Sequence, residues 1–163
     1  MAKTAEQKTN VMRLLEQKKI KYIPHEYAHG ADAVDGVTVA KLTGIAQEKI
    51  FKTLVTRGAS KGIYVFVIPV ADELDLKKAA KAVGEKSVMM LHVSEINAAT
   101  GYVRGGCSPV GMKKLYPTTY HESINKIDSV CVSAGKIGYQ IELAPDDLIS
   151  LTRGKTADII TEE

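Results

Sequence analysis

Apolar residues recur at helical spacing in several short stretches of the chain. Val11, Leu14 and Leu15 follow the segment TAEQ at residues 4–7, which fits a capping box, so an amphipathic helix is predicted over residues 5–19. Glycines follow the other helical stretches and mark their ends, because glycine readily adopts the left-handed conformation that ends a helix. Helices are predicted over residues 38–43, 74–83 and 145–152, and a further helical turn, capped at Ser94, ends at Gly101.

Stretches rich in β-branched and aromatic residues alternate with these helices. Residues 51–57 and 63–70 predict a hairpin, because the segment GASKG between them has turn chemistry. Pro24 lacks a backbone N–H, so residues 22–27 are predicted to form an edge strand. The irregular order of helices and strands predicts an α+β (mixed α/β) fold and excludes repeated βαβ units. Further strands are predicted over residues 88–91, where the strand is expected to be buried, and over 129–133, 139–143 and 157–160.

A glycine-rich stretch, YVRGGCSPVGM at residues 102–112, predicts a structured loop. It is neither a Walker loop nor a nucleophile elbow, since it lacks the spacing of both. Gly105 and Gly106 allow close backbone approach, and Pro109 makes the segment rigid. Backbone amides in such a loop can hold a carbonyl or phosphate oxygen of a ligand. A tight structural turn without a ligand remains the alternative.

Two side chains are candidates for chemistry on the residues alone. Strand alternation places Lys52 on one face with Leu54 and Thr56, so its ammonium group points either into a pocket or to the rim. A surface lysine whose alkyl stem covers apolar neighbours is the competing interpretation. Cys107 would be a nucleophile if a histidine activated it, but the sequence ties no histidine to it, so a buried thiol is favoured.

The histidines and acidic residues do not predict a metal site. His25 and His29 have i, i+4 spacing, but Pro24 and Gly30 argue against a shared helical face. No third ligand is evident, so neither a metal nor another cofactor is predicted.

Composition narrows the class of protein. The 163 residues are 45% hydrophobic and 25% charged, which predicts one globular domain over residues 1–163 and excludes disordered and collagen-like chains. No apolar run approaches membrane length and the N-terminus is polar, so no membrane partner or signal peptide is expected. Two isolated cysteines favour a reduced, cytoplasmic protein. The net charge of +3 permits a local basic face for RNA.

Three blocks, in the same order and at similar separations, closely resemble the YbaK/EbsC family. They are FKTLV at residues 51–55, GYVRGGCSPVG at 101–111, and VSAGKIG at 132–138 followed by IEL at 141–143. The resemblance runs from the first helix to Ile160. It implies a mixed, barrel-like sheet surrounded by helices, and membership of the aminoacyl-tRNA deacylase superfamily related to the editing insertion of bacterial prolyl-tRNA synthetases.

The resemblance also implies site residues and partners. The essential lysine of the family falls on Lys52, and a pocket aromatic on Tyr22. Some relatives have an acidic residue where this chain has Gln140. The implied substrate is an aminoacyl-tRNA, namely tRNA(Pro) mischarged with cysteine, and prolyl-tRNA synthetase is a possible partner. The signature whose backbone holds the aminoacyl ester falls on Gly105, Gly106, Cys107, Ser108 and Pro109.

The family picture has the substrate cysteine attack its own ester carbonyl through its thiol, so no protein nucleophile is needed. Three alternatives stay open at this point. The first is an alanine-specific deacylase that uses water, and the second is a non-catalytic module that binds tRNA or a synthetase. The third is a thiol hydrolase that uses Cys107.

Overall fold

The computed structural model describes residues 8–27 and 35–162 of the chain. In these ranges the chain folds into five α-helices and eight β-strands, as the predicted α+β class requires. The helices are α1 (Asn10–Gln17), α2 (Gly36–Thr43), α3 (Leu76–Val83), α4 (Val93–Thr100) and α5 (Pro145–Thr152). The strands are β1 (Ile23–Glu26), β2 (Phe51–Gly58), β3 (Ile63–Pro69), β4 (Val88–Met90), β5 (Thr118–His121), β6 (Val130–Ser133), β7 (Tyr139–Leu143) and β8 (Lys155–Ala157).

The strands form two sheets. The three-stranded sheet has the order β1-β7-β6, and the five-stranded sheet has the order β4-β2-β3-β5-β8. The predicted hairpin is confirmed as the antiparallel pair β2-β3. The prediction of an edge strand around Pro24 is also confirmed, because β1 lies at the edge of the smaller sheet. A parallel bridge between Ile50 and Cys131 joins the two sheets.

The first helix is shorter than predicted. Thr9 has extended backbone angles, φ −87° and ψ 169°, and its hydroxyl accepts a hydrogen bond from the N–H of Met12. A helix from residue 5 to residue 19 is therefore wrong, because Thr9 interrupts it and caps α1. The capping box at residues 4–7 lies outside the described residues.

Predictions for α4, β4 and β8 also differ from the structure. Helix α4 is capped by His92 together with Glu95, not by Ser94. Strand β4 is not buried throughout, because it lies at a sheet edge and the side chains of Met89 and Met90 are exposed. The last strand, β8, ends at Ala157 instead of beginning there, and Ile160 makes only an isolated bridge with Leu74.

Strand β5 is absent from the predicted elements, although all four of its residues are buried. It lies between β3 and β8 and runs parallel to both. Its sequence, TTYH, is polar enough to look like a loop. The Tyr120 hydroxyl is satisfied by the hydroxyl of Thr152 at 2.7 Å, which allows the residue to be fully buried.

The main core lies between α1, α5 and the inner faces of both sheets. Among its fully buried side chains are those of Leu15, Val67, Val132 and Ile141. A second cluster packs α2 against Ile50 and Cys131, where the sheets meet. In the described ranges no helix is long and apolar enough to span a membrane.

Candidate active site

Lys52 lies at the junction of the two sheets. The parallel bridge Ile50–Cys131 sets the register there, and extending it by two residues aligns Lys52 with Ser133. Ser133 pairs with Gln140 on β7, and Gln140 pairs in turn with His25 on β1. The four residues therefore form a row across the strands, which places polar groups of distant segments on one surface.

The side chain of Lys52 is half-buried and makes no hydrogen bond or ion pair with the part of the chain that the structure describes. Its strand neighbours account for this position, because Lys52 pairs with the fully buried Ile68. An ammonium group held there without a carboxylate is available to an anionic or oxygen-rich ligand.

The stretch 102–112 contains no helix or strand, so the predicted loop is confirmed. The Tyr102 hydroxyl donates a hydrogen bond of 2.5 Å to the carbonyl of Val110 and so ties the ends of the loop together. Gly105 has φ 87°, and the N–H of Gly106 donates to the carbonyl of Val103. These bonds hold the loop in a single shape, which a preorganised binding site requires.

Two buried residues in this loop leave their backbone amides unused. Cys107 and Ser108 are buried, yet within residues 8–27 and 35–162 their N–H groups have no hydrogen-bond acceptor. A backbone N–H without a protein acceptor can donate to a ligand oxygen. Two consecutive amides can stabilise the oxyanion that forms when an ester carbonyl is attacked.

Gly106 connects the loop to the turn between β6 and β7. A Cβ atom at Gly106 would lie 3.2 Å from the backbone N of Ile137 and 3.3 Å from Cα of Lys136. The loop and the turn, which are two of the three blocks singled out in the sequence, are therefore in backbone contact. Since this turn leads directly from Ser133 to Gln140, the loop adjoins the segment that carries these two residues.

Neither the thiol of Cys107 nor the hydroxyl of Ser108 is a suitable nucleophile. Burial raises the pKa of the Cys107 thiol to about 12, and the residue packs against Val55 and Leu91. A thiol with this pKa is almost wholly protonated at neutral pH. The Ser108 hydroxyl accepts a hydrogen bond from the N–H of Val110 and is fully buried.

The two remaining residues predicted from the sequence, Gln140 and Tyr22, lie in different parts of the structure. Gln140 is buried in the row, and its Oε1 atom has no partner among the described residues. Tyr22 precedes β1, and its hydroxyl donates to Oε2 of Glu16 at 2.6 Å. Burial and this carboxylate raise the pKa of Tyr22 well above its usual range. The structure therefore gives the Tyr22 hydroxyl a partner on α1 and does not pair it with Lys52.

Pro109 also lines a surface cleft that contains none of the residues of the row. That cleft is lined by residues of α1, α5 and the segment after Pro109, including Leu14, Met112 and Leu151. Lys52 and Gln140 do not line it. We therefore place the candidate active site at the sheet junction, where the unpaired polar groups are.

Sequence reasoning missed Ser133 as part of the site. It lies in the block at residues 132–138, but only the pairing of three strands places it between Lys52 and Gln140. Its Oγ accepts a hydrogen bond from the N–H of Gly135 at 3.1 Å, which shapes the turn that contacts Gly106.

Glu142 binds His25 beside this row. Its Oε1 lies 2.8 Å from Nε2 of His25, and its Oε2 accepts a hydrogen bond of 2.5 Å from Ser129. His25 is therefore a hydrogen-bond partner of Glu142 here, while His29 lies outside the described residues. In residues 8–27 and 35–162 no group of three His, Cys, Asp or Glu side chains could hold a metal ion.

We predict that Glu142→Gln lowers the free energy of unfolding at pH 7 by about 1–3 kcal/mol. The hydrogen bond from Ser129 and the pairing with His25 hold the pKa of Glu142 below its ordinary value of 4.5. A lowered folded-state pKa stabilises the fold above the unfolded pKa, and this contribution is lost as pH falls through the folded pKa. Urea unfolding should show the difference from wild type shrinking below pH 4.5. A difference that stays constant down to pH 3 would contradict the assignment.

Comparison with known families gives one match that spans most of the chain. The model described as the aminoacyl-tRNA editing domain matches residues 31–151, a range that includes Lys52, the loop and Gln140. A protein of Enterococcus faecalis (strain ATCC 700802 / V583), named as a candidate Cys-tRNA(Pro)/Cys-tRNA(Cys) deacylase, EbsC, is 52% identical over 161 residues. The alignment covers 99% of this chain and 98% of that protein.

Solved structures with the same fold include a candidate trans-editing enzyme for prolyl tRNA synthetase. It superposes with a TM-score of 0.81 and 26% identity, over 93% of this chain and 95% of the other. The hypothetical protein APE2540 gives a TM-score of 0.84 at 21% identity, over 94% of this chain and 100% of the other. These likenesses confirm the fold that the sequence blocks imply.

Proposed function

Because the chain belongs to the aminoacyl-tRNA editing domain family, we propose that it is a trans-acting deacylase that removes cysteine from mischarged tRNA(Pro). The proposal rests on two features together: Lys52 has no partner among the described residues, and the backbone amides of Cys107 and Ser108 have no acceptor among them. The substrate class follows the name of the E. faecalis relative. Release of labelled cysteine from charged tRNA tests the proposal.

The need for such an enzyme follows from the limits of recognition. One methylene in a binding pocket is worth only about 1–3 kcal/mol, so a synthetase for a small amino acid also accepts some similar ones. A second site that removes the wrong product restores accuracy. An aminoacyl ester is already an activated acyl group, so the editing catalyst must mainly orient it and stabilise charge.

The mechanism that we propose uses the substrate's own thiol. The sulfur attacks the ester carbonyl, a C–S bond forms, the C–O bond to the ribose breaks, and the thiol proton ends on the ribose oxygen. The amides of Cys107 and Ser108 stabilise the oxyanion, while the ammonium group of Lys52 positions the terminal ribose or phosphate oxygen and balances the negative charge. Serine lacks the thiol, so the same geometry would not release it.

Gln140 and the loop backbone complete the proposed binding surface. The unpaired Oε1 of Gln140 can accept a hydrogen bond from the aminoacyl group. Gly105, Gly106 and Pro109 set the shape of the loop without contributing a reacting side chain. Tyr22 supports the surface from its position just before β1, where its ring packs on the main core.

We predict that Cys107→Ala keeps at least half of the wild-type rate of cysteine release. The reason is that a buried thiol with a pKa of about 12 cannot supply a nucleophile. Single-turnover deacylation of cysteinyl-tRNA(Pro) measures the rate, and thermal unfolding checks that the variant folds. A loss of several orders of magnitude in a folded variant would show that Cys107 reacts, and rapid alkylation of the wild-type thiol would agree with it.

The choice of tRNA is proposed to depend on a partner. The net charge is only +3, which favours weak affinity for tRNA by the chain alone. A bound prolyl-tRNA synthetase would then supply the specificity, and the cytoplasm would be the place of action. We expect tRNA binding to tighten when synthetase is added. A tight, tRNA(Pro)-specific complex formed without synthetase would contradict this.

A further inference from the structure

Two exposed basic side chains flank the backbone contact between the loop and the turn. Arg104 lies two residues before Gly106, and Lys136 lies opposite Gly106, with its Cα 3.3 Å from the position of a Cβ there. Both residues are exposed. The contact at Gly106 therefore brings together two backbone segments that each carry an exposed basic residue.

Neither cation is neutralised by the residues that the structure describes. Arg104 and Lys136 make no ion pair and no side-chain hydrogen bond there, whereas Lys49 pairs with Asp128 and Lys78 with Asp158. Within residues 8–27 and 35–162, the charges of Arg104 and Lys136 are therefore available to a ligand.

We propose that Arg104 and Lys136 bind a phosphodiester of the aminoacyl-tRNA, namely the one that joins its terminal nucleotide to the preceding nucleotide. This inference rests on the proposed function. If Lys52 and the loop hold the ester on the terminal ribose, that phosphodiester is the nearest backbone anion of the substrate. The Arg104 guanidinium can bind two phosphate oxygens at once, and Lys136 adds a point charge.

The backbone positions of Arg104 and Lys136 are both fixed by turns, as a phosphate-binding role requires. The bond from Gly106 N–H to the carbonyl of Val103 closes a tight turn at Arg104, and the bond from Tyr139 N–H to the carbonyl of Lys136 closes the turn at Lys136. A phosphate bound between two fixed turns fixes the distance from the phosphate to the ester. Arg104 and Lys136, which we call the phosphate clamp, would thus position the 3′ end of the tRNA so that its ester reaches Lys52.

The test compares two cysteine esters that differ in whether they carry the phosphodiester. Cysteinyl-tRNA(Pro) has it, and 2′(3′)-O-cysteinyladenosine does not. For tRNA we expect Arg104→Gln and Lys136→Gln each to raise KM about five- to tenfold with kcat unchanged. We expect the double variant to reduce the slope of log affinity against log salt concentration by about 0.7, the value for one single-strand phosphate contact.

Neither variant should alter release from cysteinyladenosine. Lys86→Gln, which removes another exposed and unpaired lysine, is the matched control and should change nothing.

The outcomes separate this inference from the proposed function. Unchanged KM and salt slope for tRNA, in a preparation that releases cysteine normally, would overturn the clamp alone. An equal loss on both esters would also overturn it, because it would indicate a structural role for the two residues. No release of cysteine from either ester by the wild-type protein would overturn the proposed function, and the clamp with it.

Discussion

Lys52→Ala is expected to lower kcat/KM for cysteine release from tRNA(Pro) by at least about a hundredfold. Lys52 is half-buried, has no carboxylate partner in the described structure, and lies two residues after the bridge that joins the sheets. Removing a preorganised charge from such a site removes stabilisation of the developing negative charge, which typically costs about 2.7–4 kcal/mol of the barrier.

The fold should tolerate this change. Lys52 forms no ion pair or hydrogen bond with residues 8–27 and 35–162, so thermal unfolding should shift little. Lys52→Arg keeps the charge but alters its geometry, and we expect it to recover only part of the activity. Lys61→Ala is a suitable control, since Lys61 is exposed at the distant hairpin turn. Full activity in folded Lys52→Ala would remove Lys52 from the mechanism.

Gly106→Val is the second change with a large expected effect, and we predict about a hundredfold loss of deacylation. A Cβ at Gly106 already lies 3.2–3.3 Å from the backbone of Lys136 and Ile137, so the branched side chain must push the loop away from the turn. This displacement moves the amides of Cys107 and Ser108. A misplacement of about 1 Å at an oriented site can cost about a hundredfold in rate.

The same substitution should destabilise the protein by about 1–3 kcal/mol, the usual range for overpacking. Gly62→Val is the control, because a Cβ at Gly62 meets nothing closer than 3.5 Å, at the ring of Tyr64. Activity and urea unfolding should be measured on both variants. Normal turnover by Gly106→Val would show that the contact between loop and turn does not position the reacting groups.

Local patterns predict the elements whose signals lie in neighbouring residues. The β2-β3 hairpin follows from a turn between two β-rich runs, and the loop at residues 102–112 follows from its glycines and Pro109. Helices α2, α3 and α4 end at Gly44, Gly84 and Gly101, each with the positive φ that favours glycine.

Local sequence patterns do not predict features that depend on contacts between residues far apart in the chain. Strand β5 is a strand because β3 and β8 satisfy its backbone on both sides, and its own sequence, TTYH, does not show this. Likewise, only the structure shows that Thr9 caps α1.

The candidate site also has features that the sequence predicts and features that only the structure shows. Lys52 and the loop are found from short blocks, because each block has an unusual composition. Their neighbourhood depends on the register between β2 and β6, which are separated by more than 70 residues of sequence. Burial of Cys107, which argues against a thiol nucleophile, also depends on packing against Val55 and Leu91. That the chain forms one domain over residues 1–163 stays a prediction.

The proposed mechanism makes the substrate's thiol the reacting group, and substrate choice tests this most directly. The measurement is ester release from tRNA(Pro) charged in turn with cysteine, serine, alanine and proline, at equal enzyme concentrations, with Lys52→Ala alongside. We predict fast release of cysteine alone, lost in the variant. Release of serine or alanine at a similar rate would contradict thiol attack and indicate water and a broader pocket, and release of none would contradict catalysis and favour a tRNA-binding module.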